Sequence, residues 1–246
     1  HHFPHSNLLI QLKRIFKLMY PKMKKGMVVA FFSFQPSEVN QLDNSKIKVL
    51  IACEYSGTVR DEFLKLGFDA MSCDILPCES KIKGKHYEGN VFDLLYGKNS
   101  NYFDLMIAHP PCTHLSVSGA RWFTEGKKPW SLRDDAIEFV QKLMDAPVKH
   151  IAIENPVSVI SSYIRKSDQM INPYQFGDHE YKRTCLWLKD LPKLIDTDNV
   201  KEATDKLPPK EKHRIWWLGS GKGKERSKFY KGIAQAMAKQ WGDAIK

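Results

Sequence analysis

The chain has 246 residues, of which 42% are hydrophobic, and a formal net charge of +10 with a pI near 9.2. This length suffices for one α/β domain with a full core and a small appendage. No apolar run reaches the roughly 20 residues that a bilayer-crossing helix needs, which excludes a membrane span, and the positive charge favours a polyanionic partner such as nucleic acid.

The five cysteines are odd in number and scattered, without a Cys-x-x-Cys pair: Cys53, Cys73, Cys78, Cys112 and Cys185. This pattern does not indicate a disulfide framework, and we expect a reducing compartment. Cys73 and Cys78 with nearby histidines lack the second closely spaced pair of a structural zinc site, so we predict no metal.

Residues 1–46 differ from the rest of the chain. His1-His2 is interpreted as a remnant of an affinity tag. The basic amphipathic stretch Leu8 to Tyr20 is either a targeting or membrane-surface helix or, as we favour, a peripheral segment. The polar residues Gln35 to Lys46 form a linker. We therefore predict an N-terminal extension or tag-derived segment over 1–46 and a folded domain over 47–246.

From Ile47 onward, strand and helix patterns alternate. Predicted strands are Ile47 to Ala52, Asp69 to Cys73, a short one just before Gly89, Leu105 to Ala108, and Lys149 to Glu154. A helix follows Gly57 and ends at Gly67 as its C-cap, and a second begins with Ser131 as its N-cap and runs through Met144. This alternation predicts an α/β fold with a mainly parallel sheet and helices on both faces.

Cys112 follows the fourth strand and two prolines. Pro110 and Pro111 end the strand and stiffen the loop, so the thiol lies at a strand's carboxyl end, where open α/β sheets place their chemistry. A thiolate there is a candidate nucleophile. The alternative is a small buried apolar side chain.

Three further motifs lie at the carboxyl ends of predicted strands. The turn Cys53-Glu54-Tyr55-Ser56-Gly57 leads into a helix whose N–H groups can face a ligand. Asp74 comes about twenty residues later, where an acid suits ribose hydroxyls, and the absence of Gly-x-Gly-x-x-Gly favours a nucleoside over a dinucleotide. Glu154-Asn155-Pro156 ends the fifth strand. The alternatives are a tight turn, a helix-capping acid and a strand-end capping pair.

Together these motifs resemble the cytosine-5 DNA methyltransferases, which have the class I S-adenosylmethionine-dependent (Rossmann-like) fold. The resemblance covers about Ile47 to Gly242 as an ordered set of short motifs: Ile51 to Gly67, Asp74, Gly89-Asn90-Val91, Asp104 to Gly119, Ile153 to Pro156, Tyr181 to Cys185, and Arg226 to Met237. This chain departs from the family motifs at several positions. It has Cys-Glu-Tyr-Ser-Gly where the family has Phe-Ala-Gly-x-Gly, and Asn90 where the family has an aspartate, a role that Asp93 could take. It has His109 in place of glycine and Pro156 in place of valine, and the Gln-x-Arg-x-Arg motif is matched only in part, at Arg183.

The resemblance implies site residues and a cofactor. S-adenosylmethionine is expected to bind at Cys53, Glu54, Tyr55, Ser56, Gly57, Asp74, Ile75, Asn90, Asp93 and Pro110. Cys112 is expected to attack cytosine carbon 6, with Glu154 at ring N3 and Asn155 positioning that carboxylate or binding the exocyclic amine. Arg183 is expected to hold a carboxylate or phosphate and to lower the thiol pKa. In duplex DNA the base must leave the stack.

The region that family members use for target recognition is short here, about residues 186–225. Its Trp216-Trp217 and basic residues either clamp a single strand or form core and a flexible loop, and Gly219 to Lys224 is not a P-loop. Basic residues in Lys81 to Lys85 and Lys210 to Arg226 either follow phosphates or are solvated. Minimal specificity, specificity supplied by a protein partner, and a free or modified pyrimidine nucleotide as substrate all remain open.

We expect a cytosine-5 methyltransferase acting on duplex or single-stranded DNA. Its expected location is the cytoplasm or nucleoid of a bacterium or phage-infected host. One alternative is a non-catalytic nucleic-acid-binding relative, which would not use Cys112. The other is an amino-group methyltransferase acting on adenine N6 or cytosine N4, which resembles Asp-Pro-Pro-Tyr at this loop and needs no thiol.

Overall fold

Seven strands form one sheet in the order β3-β2-β1-β4-β5-β7-β6. The structure, a computed structural model, describes residues 43–218 and 222–246, except the side chains of Asn99 and Lys224. The strands are β1 (Lys48–Ala52), β2 (Asp69–Asp74), β3 (Lys85–Glu88), β4 (Leu105–Ala108), β5 (His150–Pro156), β6 (Gln169–Ile171) and β7 (Thr184–Lys189). Strands β1 to β5 pair in parallel, and β7 runs antiparallel to both β5 and β6.

Helices connect and flank these strands. They are α1 (Thr58–Lys65), α2 (Phe92–Leu95), α3 (Arg121–Thr124), α4 (Ser131–Met144), α5 (Ile160–Tyr163), α6 (Lys201–Asp205), α7 (Pro209–Lys212), α8 (Arg214–Trp217), α9 (Gly223–Arg226), α10 (Lys231–Ala236) and α11 (Gly242–Ala244). A π-helix, Met237–Trp241, joins α10 to α11. Single 3₁₀ turns lie at Asn44–Lys46, Gly97–Asn99, Val117–Gly119 and Pro173–Gln175.

The sheet separates two hydrophobic cores. Alternate residues of a strand point to opposite faces, so Val49 and Ile51 pack with α1 and the C-terminal helices, while Leu50 packs with α2 and α4. All three side chains are fully buried, and each burial stabilises the fold by about 1.5–3 kcal/mol. The fold is therefore the predicted α/β, Rossmann-like arrangement, with a mainly parallel sheet covered on both faces.

The sequence predicted the end of α1 correctly and the N-cap of α4 wrongly. Gly67 has φ +83° and its N–H donates to the carbonyl of Leu64, as a C-cap requires. Ser131 does not cap α4. Trp130 occupies the N-cap position with helical dihedrals and no side-chain cap bond, because the backbone already turns at Trp130 and its carbonyl accepts from the N–H of Arg133 at 2.8 Å.

The predicted N-terminal extension and its amphipathic stretch lie outside the described residues, apart from 43–46. There Asn44 Nδ2 donates to the carbonyl of Leu66 at 2.7 Å. Within residues 43–218 and 222–246, no helix is both long enough and apolar enough to cross a bilayer.

Candidate active site

The parallel strands bring the predicted residues to one edge of the sheet. The carboxyl ends of β1, β2, β3, β4 and β5 lie side by side, and each is followed by one predicted motif. Because β7 is antiparallel to β5, its amino end lies at this same edge. The segment before Thr184 therefore joins the site, which the spacing along the chain does not reveal.

The turn after β1 is held by its own carboxylate. Glu54, 4% exposed, accepts the N–H groups of Val59 at 2.7 Å and Arg60 at 3.2 Å. It therefore caps α1 and occupies amides that the sequence had assigned to a ligand. Burial raises the pKa of Glu54, opposed by the charge of His109 and by these two N–H groups. Cys53 precedes it at φ +58°, a conformation that favours glycine.

Two acids cluster where β2 and β3 end. Burial raises the pKa of Cys73 to about 12, and the charges of Asp74 and Asp93 add to this increase, so both carboxylates face the same thiol. Asp74 Oδ1 accepts the N–H of Leu76 at 3.0 Å. Beside it Ile75 is 77% exposed. A half-buried carboxylate next to an exposed apolar side chain suits a ribose and a purine.

Asn90 and Asp93, two further predicted cofactor residues beyond the carboxyl end of β3, also form local hydrogen bonds. Asn90 Oδ1 accepts the N–H of Phe92 at 3.0 Å and so starts α2. Asp93 Oδ2 accepts the hydroxyl of Tyr87 at 3.1 Å. At the far side of the same cleft, the hydroxyls of Tyr55 and Ser227 are 2.9 Å apart. The predicted first and last motifs are therefore in contact.

A buried arginine holds the loop that follows Asp74. The Arg60 guanidinium, 1% exposed, donates to Asp61 Oδ1 at 2.7 and 3.0 Å and to Ser72 Oγ at 3.2 Å. It also contacts Cys78 Sγ at 3.2 Å and the carbonyl of Ile82 at 3.3 Å. Asp61 Oδ2 also accepts a hydrogen bond from the hydroxyl of Ser80. This network positions residues 78–82 over the turn, and sequence reasoning missed it.

Cys112 lies on an exposed loop beside Glu154 and two cations. The N–H groups of Leu115 and Ser116 donate to the carbonyl of Cys112 at 3.1 and 2.9 Å, which forms a tight turn. Desolvation of the sulfur and the charge of Glu154 raise the pKa of the thiol, opposed by Lys182 and Arg226. The alternative interpretation as a core thiol is wrong, because Cys112 is exposed.

Glu154 and Asn155 approach the Cys112 loop from β5. Glu154 Oε2 is 3.1 Å from His109 Nδ1. Asn155, 1% exposed, donates from Nδ2 to the carbonyl of Pro110 at 2.8 Å. Asn155 therefore fixes the proline loop that precedes Cys112. The His109 ring packs against Phe229, with centroids 4.6 Å apart.

Arg183, which the sequence predicts near the thiol, has different surroundings from its neighbour Lys182. Neighbouring side chains at the start of a strand point to opposite sides, and Lys182 is the one whose charge acts on Cys112. Arg183 instead acts on the pKa of Cys185 and lines a cavity of about 340 Å³ with Asn172, Tyr181 and His213. A larger cavity of about 630 Å³, beside Met144 and Trp187, contains none of the predicted site residues.

No family model and no curated protein matches the chain. The chain is similar to the solved structure of the Entamoeba histolytica methyltransferase EhMeth, at 15% sequence identity and a TM-score of 0.41. The match covers 63% of this chain and 57% of that one, so the chain spans little more than half of that protein. A likeness of this size identifies neither a family nor an activity.

Proposed function

We propose that this protein transfers a methyl group from S-adenosylmethionine to carbon 5 of cytosine in DNA, through a covalent adduct with Cys112. The observation that carries this proposal is the convergence of a reachable thiol and Glu154 at one strand edge. Glu154 is near enough to raise the pKa of Cys112. A thiol and a carboxyl group are the nucleophile and acid that addition to a pyrimidine ring needs.

The chemistry assigns one task to each group. The Cys112 thiol gives its proton to solvent, and the thiolate bonds to carbon 6 while the Glu154 carboxyl group donates a proton to N3. The electron pair of the 5,6 double bond is then available at carbon 5, which takes the methyl group. Solvent water takes the proton from carbon 5, the double bond forms again as the Cys112 thiolate leaves carbon 6, and N3 returns its proton to Glu154. His109 contacts one oxygen of Glu154, and the other oxygen is the one proposed to contact the cytosine ring.

S-adenosylmethionine supplies the methyl group from its sulfonium when it is bound. The residues proposed to hold it are those at the ends of β1, β2 and β3. Asp74 would accept ribose hydroxyls, and exposed Ile75 would pack on the adenine. Glu54 would contribute indirectly, because its carboxylate caps α1. The backbone of residues 53–57 would hold the methionine part.

The choice of DNA as polymer rests on charge. The net charge of +10 favours a polyanion, and Lys182 and Arg226 act directly at Cys112. Both cations would meet phosphates next to the target base. A protein partner that supplies sequence specificity is part of this proposal, because the segment between β7 and α10 is short.

Labelled S-adenosylmethionine incubated with duplex DNA, single-stranded DNA and free dCMP tests the proposal, with Cys112→Ala and Cys112→Ser beside the wild type. We expect cysteine-dependent label recovered as 5-methylcytosine. DNA containing 5-fluorocytosine should give a stable covalent complex with the wild type only, because fluorine cannot leave as a proton does.

Three results would contradict the proposal in different ways. Full activity of Cys112→Ser would indicate an amino-group methyltransferase. Label found only on dCMP or on a modified pyrimidine would show that the substrate is a nucleotide and not DNA. DNA binding without transfer or trapping would leave a non-catalytic binding protein.

A further inference from the structure

Two adjacent tryptophans are exposed at the end of α8. Trp216 is 76% exposed and Trp217 53% exposed, and their rings are 5.0 Å apart at 89°. An indole contributes up to about 250 Å² of contact surface when it is covered. Two neighbouring indoles left in solvent therefore form an apolar patch that favours a binding role. The interpretation of these tryptophans as core residues is wrong.

The exposure is not a consequence of a loosely attached helix. Glu180, 6% exposed, accepts Arg214 Nη2 at 3.1 Å, Arg214 Nε at 3.2 Å and the N–H of Ile215 at 2.9 Å. The N–H of Tyr181 donates to the carbonyl of Lys212 at 2.7 Å. A buried carboxylate with several charge-assisted bonds fixes α8 to the domain. The two indoles are thus held outward by the fold.

The sequence on both sides of the tryptophans is strongly basic. Between residues 210 and 228 the sequence contains seven lysines or arginines and two glutamates. Aromatic faces among cations match a nucleic-acid strand, whose bases stack while its phosphates pair with the cations. A second apolar protein surface would not need this excess of charge.

The patch is connected to the thiol by a short series of contacts. Glu180, which holds α8, is two residues before Lys182. Lys182 Nζ donates to the carbonyl of Arg226 at 3.3 Å, and the charges of Lys182 and Arg226 both act on Cys112. Residues 180–182 therefore join the segment that holds α8 to the cations that act on the thiol.

We propose that Trp216 and Trp217 stack on unpaired bases beside the target, so that the substrate is single-stranded or locally unpaired DNA. In a duplex the faces of the bases are covered by their neighbours, whereas an unpaired strand presents them. Two rings at 89° also face different directions, which a flexible single strand can follow. The identity of the target base rests on the proposed function, but binding of the strand does not.

The test measures binding without chemistry. Fluorescence anisotropy would follow a labelled 16-nucleotide DNA strand, its duplex and the same strand as RNA, with Cys112→Ala protein as the background. We expect the single DNA strand to bind more tightly than the duplex. Trp216→Ala with Trp217→Ala should weaken single-strand binding about 10- to 100-fold, and the double phenylalanine variant should restore most of it.

Tyr102→Ala is the matched control. Tyr102 is 46% exposed, forms a perpendicular ring pair with Phe103 and has Lys48 over its ring, but it precedes β4 and so lies at the opposite edge of the sheet. We expect unchanged affinity. Urea midpoints of all variants should match that of the background, because the substituted side chains are exposed.

Four results would overturn the inference. The double alanine variant could bind the single strand within about twofold of the background protein, or the background protein could bind the duplex as tightly as the single strand or more tightly. The double alanine variant could lose as much affinity for the duplex as for the single strand, or the background protein could form a concentration-dependent dimer that the double alanine variant does not form. Failure of methyl transfer with tight, tryptophan-dependent single-strand binding would reject the proposed function and leave this inference standing.

Discussion

His109 Nδ1 lies 3.1 Å from Glu154 Oε2, with the two side chains 12% and 11% exposed. The register of the sheet produces this contact. Ala108 pairs with Ile153 in the parallel strands β4 and β5, so the next residue of each strand meets the other at the edge. Phe229 packs on the imidazole, and the charge of Glu54 reaches it from the β1 turn. His109 therefore positions the carboxylate that the proposed chemistry uses.

Replacing His109 by alanine should lower kcat for methyl transfer about 10- to 100-fold, because small misplacement of a reacting group has effects of this size. The KM for DNA should change little, since the contact is made to Glu154. His109→Asn keeps a donor without an ionisable ring, and it should recover part of kcat. Steady-state kinetics of both variants check this, and wild-type kcat in His109→Ala would contradict it.

The reactivity of Cys112 towards iodoacetamide should depend on charge at the site. Because the pKa of the thiol is raised, alkylation of the wild type should keep increasing above pH 9. Glu154→Gln removes a negative charge and lowers the pKa, so alkylation at pH 8 should be about three- to tenfold faster. Lys182→Met removes an opposing cation, and alkylation should be slower.

Peptide mass spectrometry resolves this reaction from the partly exposed Cys53 and Cys78. Lys142→Met is the control, since Lys142 pairs with Glu138 on α4 and is not among the groups that act on the thiol. Equal alkylation rates in Glu154→Gln and the wild type would show that Glu154 does not face Cys112.

Arg60→Met should lower the free energy of unfolding by about 3 kcal/mol, because it leaves the carboxylate of Asp61 buried without its cation. Urea denaturation measures the change. Lys65→Met breaks the ion pair with Glu62, in which the lysine is 48% exposed, and should change stability by less than about 1 kcal/mol. Equal effects of the two substitutions would contradict the role given to Arg60.

Gly232→Ala should destabilise the protein by about 3 kcal/mol or prevent folding, because overpacking against fixed backbone forces a backbone shift. An added Cβ would lie 1.8 Å from the carbonyl oxygen of Phe176. Gly223→Ala is the control, since its Cβ would meet nothing within 4 Å. Thermal unfolding compares them, and a Gly232→Ala protein as stable as the control would show that α10 packs differently.

Local patterns predicted the parallel strands correctly, but they missed β6 and β7. Strands β1 and β4 are continuous apolar runs ended by a turn or by prolines, so each is recognisable from its own residues. Strand β6 has three residues and no clear period. Strand β7 has no period-two pattern, because its buried residues, Thr184 to Trp187, are covered on both faces.

The sequence by itself determined the five parallel strands and the positions of Cys112, Asp74 and Glu154 near their carboxyl ends, because strand periodicity, proline and glycine act over a few residues. Only the tertiary structure decided that Glu54 caps α1, that the charge of Lys182 acts on the thiol, and that His109 holds Glu154. These contacts join residues up to 70 positions apart. The contacts of Lys182 and His109 depend on strand order and on the antiparallel direction of β7, which the packing of the whole sheet selects and no local pattern encodes.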